Sequence, residues 1–455
     1  MPQLKEELEK RLANKENIEA IRQSLINQGF LESDVDEAVS SVSDIVSQKN
    51  NKKNSAIVAK SFFKELFDRF GFGFGSQQYI NILFFLSGAS LFLIGIINGL
   101  RALLIALSTP FIEEWTRIKR ISNWFIALNG FLFASSFVLV ILARRFNLTY
   151  LFIISFILSA ITLVTFGNSY SKLIRQNLKP ENMGILNKIS KIGILITAIS
   201  LFASAYIMDN IENGYIISFG ITIGCFTLSS FIMFLFKCSI SHQETSTIGF
   251  FKDIKTPAAL FLKNKIILIL LIASTITAFV QTIGNIYYGI FIFNFLSKTG
   301  FGGFLNVAVV FIVATLSSLL APYLTRINSK AYGKFPMLVF GTLLIAIMPL
   351  TYFYNPNLVA ISMATMIGII GAAIVGVANG LLILDILHER DRKYYFRVSN
   401  LLITIPYIIT IPIGSFIAQA FGLKTLFLML GLTLICAVMP LYLIIIILYN
   451  RKFTV

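Results

Sequence analysis

Ten apolar segments occupy most of the chain after residue 122, and this pattern restricts the fold more than any other feature of the sequence. A helix needs about 20 consecutive apolar residues to cross the hydrocarbon layer of a bilayer. Hydrophobic residues make up 56% of the 455 positions and charged residues only 13%, which exceeds what a water-soluble domain needs. The sequence therefore predicts an all-α, multi-pass membrane protein. We assign the segments to 123–143, 149–175, 185–209, 213–236, 266–296, 302–325, 336–354, 357–385, 396–420 and 424–449.

Short sequences recur about 210 residues apart, at matching places between the apolar segments. Thr116-Arg117-Ile118 returns as Thr325-Arg326-Ile327, and Gly167-Asn168 corresponds to Ala378-Asn379. A fixed spacing of this kind indicates that one group of helices has been duplicated in tandem. We therefore expect two pseudo-symmetric transmembrane bundles.

The first apolar stretch, Tyr79 to Ile112, is too long for one ordinary span and short for two, so the total is 11 or 12 helices. The repeat places a first helix near Asn54, where charged residues such as Lys64 and Asp68 disfavour an ordinary span. We expect that helix to be displaced or degenerate. The predicted organisation is a small soluble helical module at 1–50, a linker and amphipathic interfacial helix at 51–78, an N-terminal bundle at 79–236, an inter-bundle loop at 237–264, and a C-terminal bundle with a short tail at 265–455.

Two segments ahead of the bundles have helical patterns of their own. The turn Gln28-Gly29-Phe30 between two short amphipathic helices resembles a ubiquitin-associated-type three-helix fold, and a plain helical hairpin is the alternative. The resemblance implies a cytoplasmic protein partner for this module. Further on, one apolar face is opposed by a charged face, a pattern typical of a helix lying on membrane lipid. The two faces comprise Phe62, Phe63, Leu66, Phe67 and Phe70, and Lys60, Lys64, Asp68 and Arg69.

The formal net charge of +16 comes from short Lys- and Arg-rich segments between the apolar runs. Positive loops remain in the cytoplasm, so this distribution predicts an orientation in the cell membrane and argues against a nucleic-acid partner. The C-terminus is then cytoplasmic. We favour 12 spans with a cytoplasmic N-terminus, because lysines precede the first span and no signal segment is present to translocate them.

Polar side chains within the apolar spans are costly in a bilayer and are therefore candidates for a substrate pathway. Gln281 and Asn285 lie one helical turn apart, and Tyr288 continues the same face. Asn168 and Asn379 occupy corresponding places in the two halves. The alternative is that these side chains only form hydrogen bonds between neighbouring helices.

Arg101 is the most unusual single residue, since it follows Asn98 by three positions in an apolar stretch and cannot lose its charge. It suits an anionic group of a substrate or a buried acidic partner. The alternative is that it lies near the membrane interface and extends its head group to water. Among the acids, Asp385 is the one candidate for proton coupling, because the centres of the assigned spans contain no carboxylate.

Two six-helix halves, a basic central connection and a cytoplasmic turn after the second helix of each half resemble the major facilitator superfamily. The resemblance implies a small-molecule carrier in which the first and fourth helices of each half line a central cavity. It also implies that charges at the cytoplasmic turns pair across the gap in one state, although these charges serve equally to orient the loops. The candidate gating residues are Arg117, Glu181, Arg326, Asp385 and Asp391.

The sequence therefore predicts a secondary transporter of the inner membrane that moves a small polar or anionic solute by alternating access. Two alternatives remain: an exporter or flippase of lipids or hydrophobic compounds, and a non-transporting membrane scaffold. We expect no enzymatic activity, no cofactor and no metal site, because no nucleophile arrangement, phosphate-binding glycine loop or grouping of the three cysteines is present.

Overall fold

The computed structural model describes residues 23–24, 32–118, 122–178, 180–236, 261, 263–296 and 300–453. These residues form helices joined by short turns, and no strand occurs among them, which confirms the all-α prediction. The helices are α1 (Glu32–Phe74), α2 (Gln77–Leu86), α3 (Leu91–Ile118), α4 (Asn123–Phe146), α5 (Thr149–Asn177), α6 (Pro180–Asn210), α7 (Gly214–Leu235), α8 (Lys265–Phe295), α9 (Gly303–Tyr332), α10 (Lys334–Tyr354), α11 (Leu358–Ile386), α12 (Glu389–Thr404), α13 (Tyr407–Thr433) and α14 (Met439–Phe453).

The chain forms two compact units. One comprises residues 1–62 and 177–187, and its described part contains most of α1 and the start of α6. The other comprises residues 63–176 and 188–455 and contains the remaining helices. The Gln28-Gly29-Phe30 turn and residues 237–260 of the inter-bundle loop lie outside the described residues.

Within the described part of the chain, 10 helices are long and apolar enough to cross a membrane, which confirms a multi-pass membrane protein. The last of them runs over 52 residues, Ser399–Asn450, which is too long for one crossing. Gly422 divides it, since its φ of +84° is a backbone conformation that a helix cannot contain. A five-residue π-helical segment, Leu434–Val438, connects α13 to α14.

Corresponding helices of the two halves begin about 210 residues apart, as the duplication predicts. The pairs of first residues are Leu91 and Gly303, Asn123 and Lys334, Thr149 and Leu358, and Pro180 and Glu389. Side-chain caps fix several of these starts. For example, the oxygen of Asn357 accepts a hydrogen bond from the N–H of Ala360 at 2.8 Å, where α11 begins.

The first crossing of the N-terminal half is a broken helix. It enters with the last turns of α1, is interrupted at Gly75 and Ser76, and finishes with α2. The chain then turns at residues 87–90, where Gly88 has a φ of +89°, and returns as α3. The stretch Tyr79 to Ile112 is therefore divided near its start. Counting the broken helix as one crossing and the last apolar helix as two converts the 10 candidate spans into 12, the number that the loop charges favour.

Two charged residues that the sequence analysis assigned to the polar face of a surface helix are buried inside the N-terminal half. Lys64 is 1% exposed and Asp68 is 7% exposed. They form an ion pair at 2.5 Å, and the hydroxyl of Ser229 donates to the other oxygen of Asp68 at 2.5 Å. The ammonium also lies 4.2 Å and 3.9 Å from the ring centres of Phe166 and Tyr170. The ion pair and the cation–π contacts offset the cost of burying these charges. A hydropathy pattern contains no information on such contacts, so the sequence predicts a surface helix here.

Glycines allow this part of α1 to pack against its neighbours. A Cβ on Gly71 would lie 2.7 Å from the ring of Phe226, and one on Gly75 would lie 2.6 Å from the ring of Phe137. Real Cβ atoms do not approach other carbons so closely, so any larger residue at these positions would push α1 outward. The Gly-rich end of α1 is thus an interior segment of the bundle.

Candidate substrate pathway

The two halves are hydrogen-bonded to each other at one end of the bundle, where α2 and α8 finish and α3 and α9 begin. We call this the joined end. Asp209, near the end of α6, accepts hydrogen bonds from the backbone N–H groups of Phe304 at 3.0 Å and Leu305 at 2.7 Å. These are among the first N–H groups of α9, which have no partner within their own helix and carry partial positive charge. The carboxylate of one half therefore caps a helix of the other.

Replacing Asp209 with alanine should weaken the joined end. Loss of a helix-capping side chain costs about 0.5–2 kcal/mol, which lowers the population of the joined state roughly 2- to 30-fold. Spin labels at Arg145→Cys and Asn355→Cys, in a background without the native cysteines, report the distance between the halves at this end. We expect a new population at longer distance.

The matched control is Asn210→Ala, because among the described residues the Asn210 side chain donates to the carbonyl of Tyr206 in its own helix, at 2.9 Å. This variant should keep the original distance distribution. An Asp209→Ala distribution indistinguishable from that of Asn210→Ala would show that the cap does not hold the halves together.

Close helix packing reinforces the joined end. The hydroxyl of Tyr287 on α8 donates to the carbonyl of Leu91 on α3 at 2.7 Å. Gly95 lies one turn further along α3, and a Cβ there would lie 2.6 Å from the Cβ of Ser415 on α13. The small residue lets α3 approach two helices of the opposite half.

A cluster of amide side chains connects the halves deeper in the bundle. Gln78 donates to the backbone carbonyl of Asn285 at 2.8 Å, and Asn81 donates to that of Ile286 at 3.3 Å. Asn98 of α3 donates to the side-chain oxygen of Asn81 at 3.0 Å. Sequence reasoning found Asn98 and Asn285 but missed Gln78 and Asn81. The amides in Gln77-Gln78-Tyr79-Ile80-Asn81 were the available signal: Gln78 precedes the apolar stretch that begins at Tyr79, and Asn81 lies inside it.

A cavity of about 120 Å³ lies in the N-terminal half where α1 gives way to α2. Its polar lining comes from α2 to α5 and the residue before α2, and four aromatic rings, Gly75 and Ile80 form the rest of the wall. Gln77 connects it to the amide cluster, since its side chain donates to Asn81 at 3.2 Å and to Asn98 at 3.4 Å. The polar residues are Ser76, Gln77, Arg101, Ser136, Ser155 and Ser159, and the rings are those of Phe72, Phe133, Phe137 and Phe156.

Arg101 contributes the charge of this cavity. Its Nε is buried, and none of the described residues accepts a hydrogen bond from it. The serine hydroxyls are already used as donors, since Ser155 donates to the carbonyl of Ser136 at 2.8 Å and Ser159 to that of Phe156 at 2.9 Å. Within the described structure Arg101 is half-buried, its Nε is fully buried, and the residue borders the cavity together with polar and aromatic side chains.

The other predicted pathway residues are distributed over both halves. Gln281 and Asn168 are half-buried, and the side chain of Asn285 is exposed. Tyr288 is packed inside the C-terminal half, with its ring centre 4.4 Å from that of Tyr352. Asn379 lies in the same half beside Tyr442. The structure therefore brings Asn98, Arg101 and the Asn285 region of α8 together around α2, and places Tyr288 and Asn379 elsewhere.

The predicted gating residues are described only in part. Asp385 forms an ion pair with Lys334, which also donates to the hydroxyl of Tyr449 at 3.0 Å, so this network lies within the C-terminal half. Asp391 is half-buried in the first turn of α12. The side chains of Arg117, Glu181 and Arg326 lie outside the described residues.

The fold is shared with solved transporter structures. No protein-family model and no curated protein matches the chain. A nucleoside transporter, NupG, solved as a point mutant, covers 85% of this chain over 99% of its own length, with a TM-score of 0.69 and 11% identity. A bacterial homologue of the lysosomal transporter Spinster covers 86% of this chain over 97% of its own, with a TM-score of 0.63 and 15% identity. A POT family transporter, solved with a thioalcohol-conjugated peptide, covers 87% over 96%, with a TM-score of 0.60 and 15% identity.

These similarities define the class of fold. The chain has the same fold as these solved transporter structures, which confirms the predicted architecture. At 11% and 15% identity, the likeness concerns architecture and does not assign a cargo.

Proposed function

We propose that this protein is a secondary transporter that moves a small polar or anionic solute across the cell membrane by alternating access. The observation that carries the proposal is the joining of the two halves at one end by hydrogen bonds, beside buried polar side chains that converge around α2. Rocking of one half against the other about a central site is the established mode of such two-bundle proteins.

The distribution of positive loops supports an orientation with the C-terminus and the N-terminal module in the cytoplasm. The joined end then faces outward, and the contacts of Asp209 and Tyr287 close the outer side of the pathway. In the opposite state these contacts break. The charged turns that contain Arg117, Glu181, Arg326 and Asp391 would then pair on the cytoplasmic side. The N-terminal module would be a docking site for a cytoplasmic protein.

Purified protein in liposomes tests the proposal. The liposomes are incubated with a defined mixture of amino acids, dipeptides, nucleosides and organic acids, and their contents are measured by mass spectrometry. We expect accumulation of at least one solute above the level in protein-free liposomes. A protein that is folded, correctly inserted and inert towards every class in the mixture would contradict the proposal and favour a scaffold.

Replacing both Gln281 and Asn285 with alanine should lower uptake at least about tenfold, because a lost polar contact to a bound solute costs about 1–3 kcal/mol. The measurement is the initial rate of uptake of the solute found above. The control is Thr275→Ala on the same helix, whose hydroxyl donates to the carbonyl of Leu271 at 2.8 Å. Equal rates for the double variant and the control would remove these two residues from the pathway.

Arg101 in the cavity lining argues against one of the alternatives, an exporter of purely hydrophobic compounds. A carrier of purely hydrophobic compounds gains nothing from an arginine in its cavity, because the charge must be desolvated without a matching group. A lipid analogue with an anionic head group remains compatible with the cavity. Comparing the transfer of that analogue with uptake of a soluble organic acid in the same liposomes separates the two cargo types.

A further inference from the structure

We infer that the cavity at the break between α1 and α2 binds an oxyanion group of the cargo, and that the cargo is a small organic anion with a flat apolar portion. The inference rests on the proposed function and names its substrate class. Three observations carry it: the charge balance of the cavity, the donors that face it, and the rings that form its walls.

The cavity has a cation and no described acid to balance it. Arg101 stays protonated at any physiological pH. Its Nε is buried without an acceptor, and no carboxylate of the described residues forms an ion pair with it. A buried charge of this kind is costly unless a counter-charge arrives. Asp and Glu are absent from the lining residues, so an anionic ligand meets attraction and a cationic one meets repulsion.

A helix N-terminus adds donors next to the guanidinium. Ser76 precedes the first residue of α2 and makes no capping hydrogen bond with its side chain, and the first turn of α2 contains no acid. The first N–H groups of a helix lack intrahelical partners and favour an anion. Ser76, Gln77 and Arg101 all line the cavity, so the start of α2 and the guanidinium-bearing residue border the same space. Arginine and helix N-termini both suit carboxylate and phosphate oxygens.

The aromatic walls of the cavity favour one kind of group in the remainder of the cargo. The ring centres of Phe133 and Phe137 lie 5.4 Å apart, edge to face, and Phe72 packs against Phe133 at 6.1 Å. Such rings favour a flat apolar group. A volume of about 120 Å³ holds a head group with a small ring. Gln77 lines this cavity, and its side chain donates hydrogen bonds to Asn81 and Asn98. The bound anion therefore lies beside the hydrogen bonds that join the halves.

Binding of four probes to the purified full-length protein in nanodiscs tests the inference independently of transport. The probes are benzoate, phenyl phosphate, benzyl alcohol and benzylamine, and the readout is the change in thermal unfolding midpoint with probe concentration. We expect benzoate or phenyl phosphate to raise the midpoint in a saturable way, and the neutral and cationic probes to leave it unchanged. The stronger of the two anions identifies the head group as carboxylate or phosphate.

The variant Arg101→Gln should weaken anion binding at least tenfold, and Arg101→Lys should retain part of it, because lysine keeps the charge without the planar pair of donors. Arg145→Gln is the control, since Arg145 is an exposed arginine at the end of α4. It should bind as the unmodified protein does. If Arg101→Gln does not fold, the same comparison is made between Arg101→Lys and the unmodified protein.

Two outcomes would overturn the inference: equal stabilisation by benzyl alcohol and benzoate, or anion binding that Arg101→Lys and Arg101→Gln leave unchanged. Solute uptake by liposomes without anion binding overturns this inference and leaves the proposed transport intact. Anion binding that depends on Arg101 without uptake of any solute supports the site and contradicts the transport function.

Discussion

Replacing Asp68 with alanine lowers the free energy of unfolding by about 3–5 kcal/mol, because it leaves the ammonium of Lys64 buried without its carboxylate. Lys64 is 1% exposed, so water cannot solvate the unpaired charge. The rings of Phe166 and Tyr170 recover only part of the loss. The measurement is equilibrium unfolding in mixed micelles, followed by circular dichroism.

The same helix provides the matched control. Glu65 and Arg69 have the same spacing of four residues and a similar distance of 2.7 Å, but their side chains are 24% and 32% exposed. Glu65→Ala should therefore cost no more than about 1 kcal/mol. The double variant Lys64→Met with Asp68→Leu removes both charges and should be at least as stable as the single variants. A double variant less stable than Asp68→Ala alone would show that the pair itself stabilises the fold.

Replacing Gly95 with valine should separate the halves at the joined end. The new side chain would overlap Ser415 and the hydroxyl of Tyr287, and overpacking of this kind costs about 1–3 kcal/mol. Because the overlap exists only while the halves are joined, the cost shifts the two-state equilibrium by roughly 5- to 150-fold. We expect the Arg145→Cys and Asn355→Cys label pair to move to the longer distance and uptake to fall sharply.

Gly220→Val is the control for this substitution, since a Cβ at Gly220 on α7 has no atom within 4 Å. It introduces the same side chain into a membrane helix without a clash. The interpretation fails if Gly95→Val keeps the label distance of the unmodified protein while reducing uptake, because the loss would then have another cause.

The regular features of the fold follow from the sequence. Eight of the ten apolar segments correspond one to one to α4 to α11, with starts such as Asn123 and Thr149 matching, whereas the last two segments cover parts of the three helices α12 to α14. Periodicity and length determine these helices locally, so no knowledge of the neighbours is needed. The first crossing, with its break between α1 and α2, was not predicted. Lys64 and Asp68 indicate a surface helix by sequence alone, because the partners on α5 and α7 that allow their burial lie far away in the sequence.

The candidate site was likewise predicted only in part, because it depends on contacts between residues distant in the sequence. Arg101 and Asn98 stand out as polar residues in an apolar stretch, so sequence reasoning found them. It could not find Ser136, Ser155 or Ser159, because serine is common in membrane helices and only the three-dimensional packing places these residues around one cavity. It also grouped Tyr288 with Gln281 and Asn285 by helical spacing, whereas the structure packs Tyr288 against Tyr352 and Phe427.

The contact of Asp209 with α9 has a consequence for how much sequence change this end of the protein tolerates. The carboxylate holds peptide groups, so the identity of the side chain at Leu305 is irrelevant to the contact, provided that the residue has an N–H. Proline is the one common residue that lacks this group. This cap is therefore formed by one acid and by the backbone it meets, and the side chain of Leu305 is determined by its packing against the hydrophobic core and not by the cap.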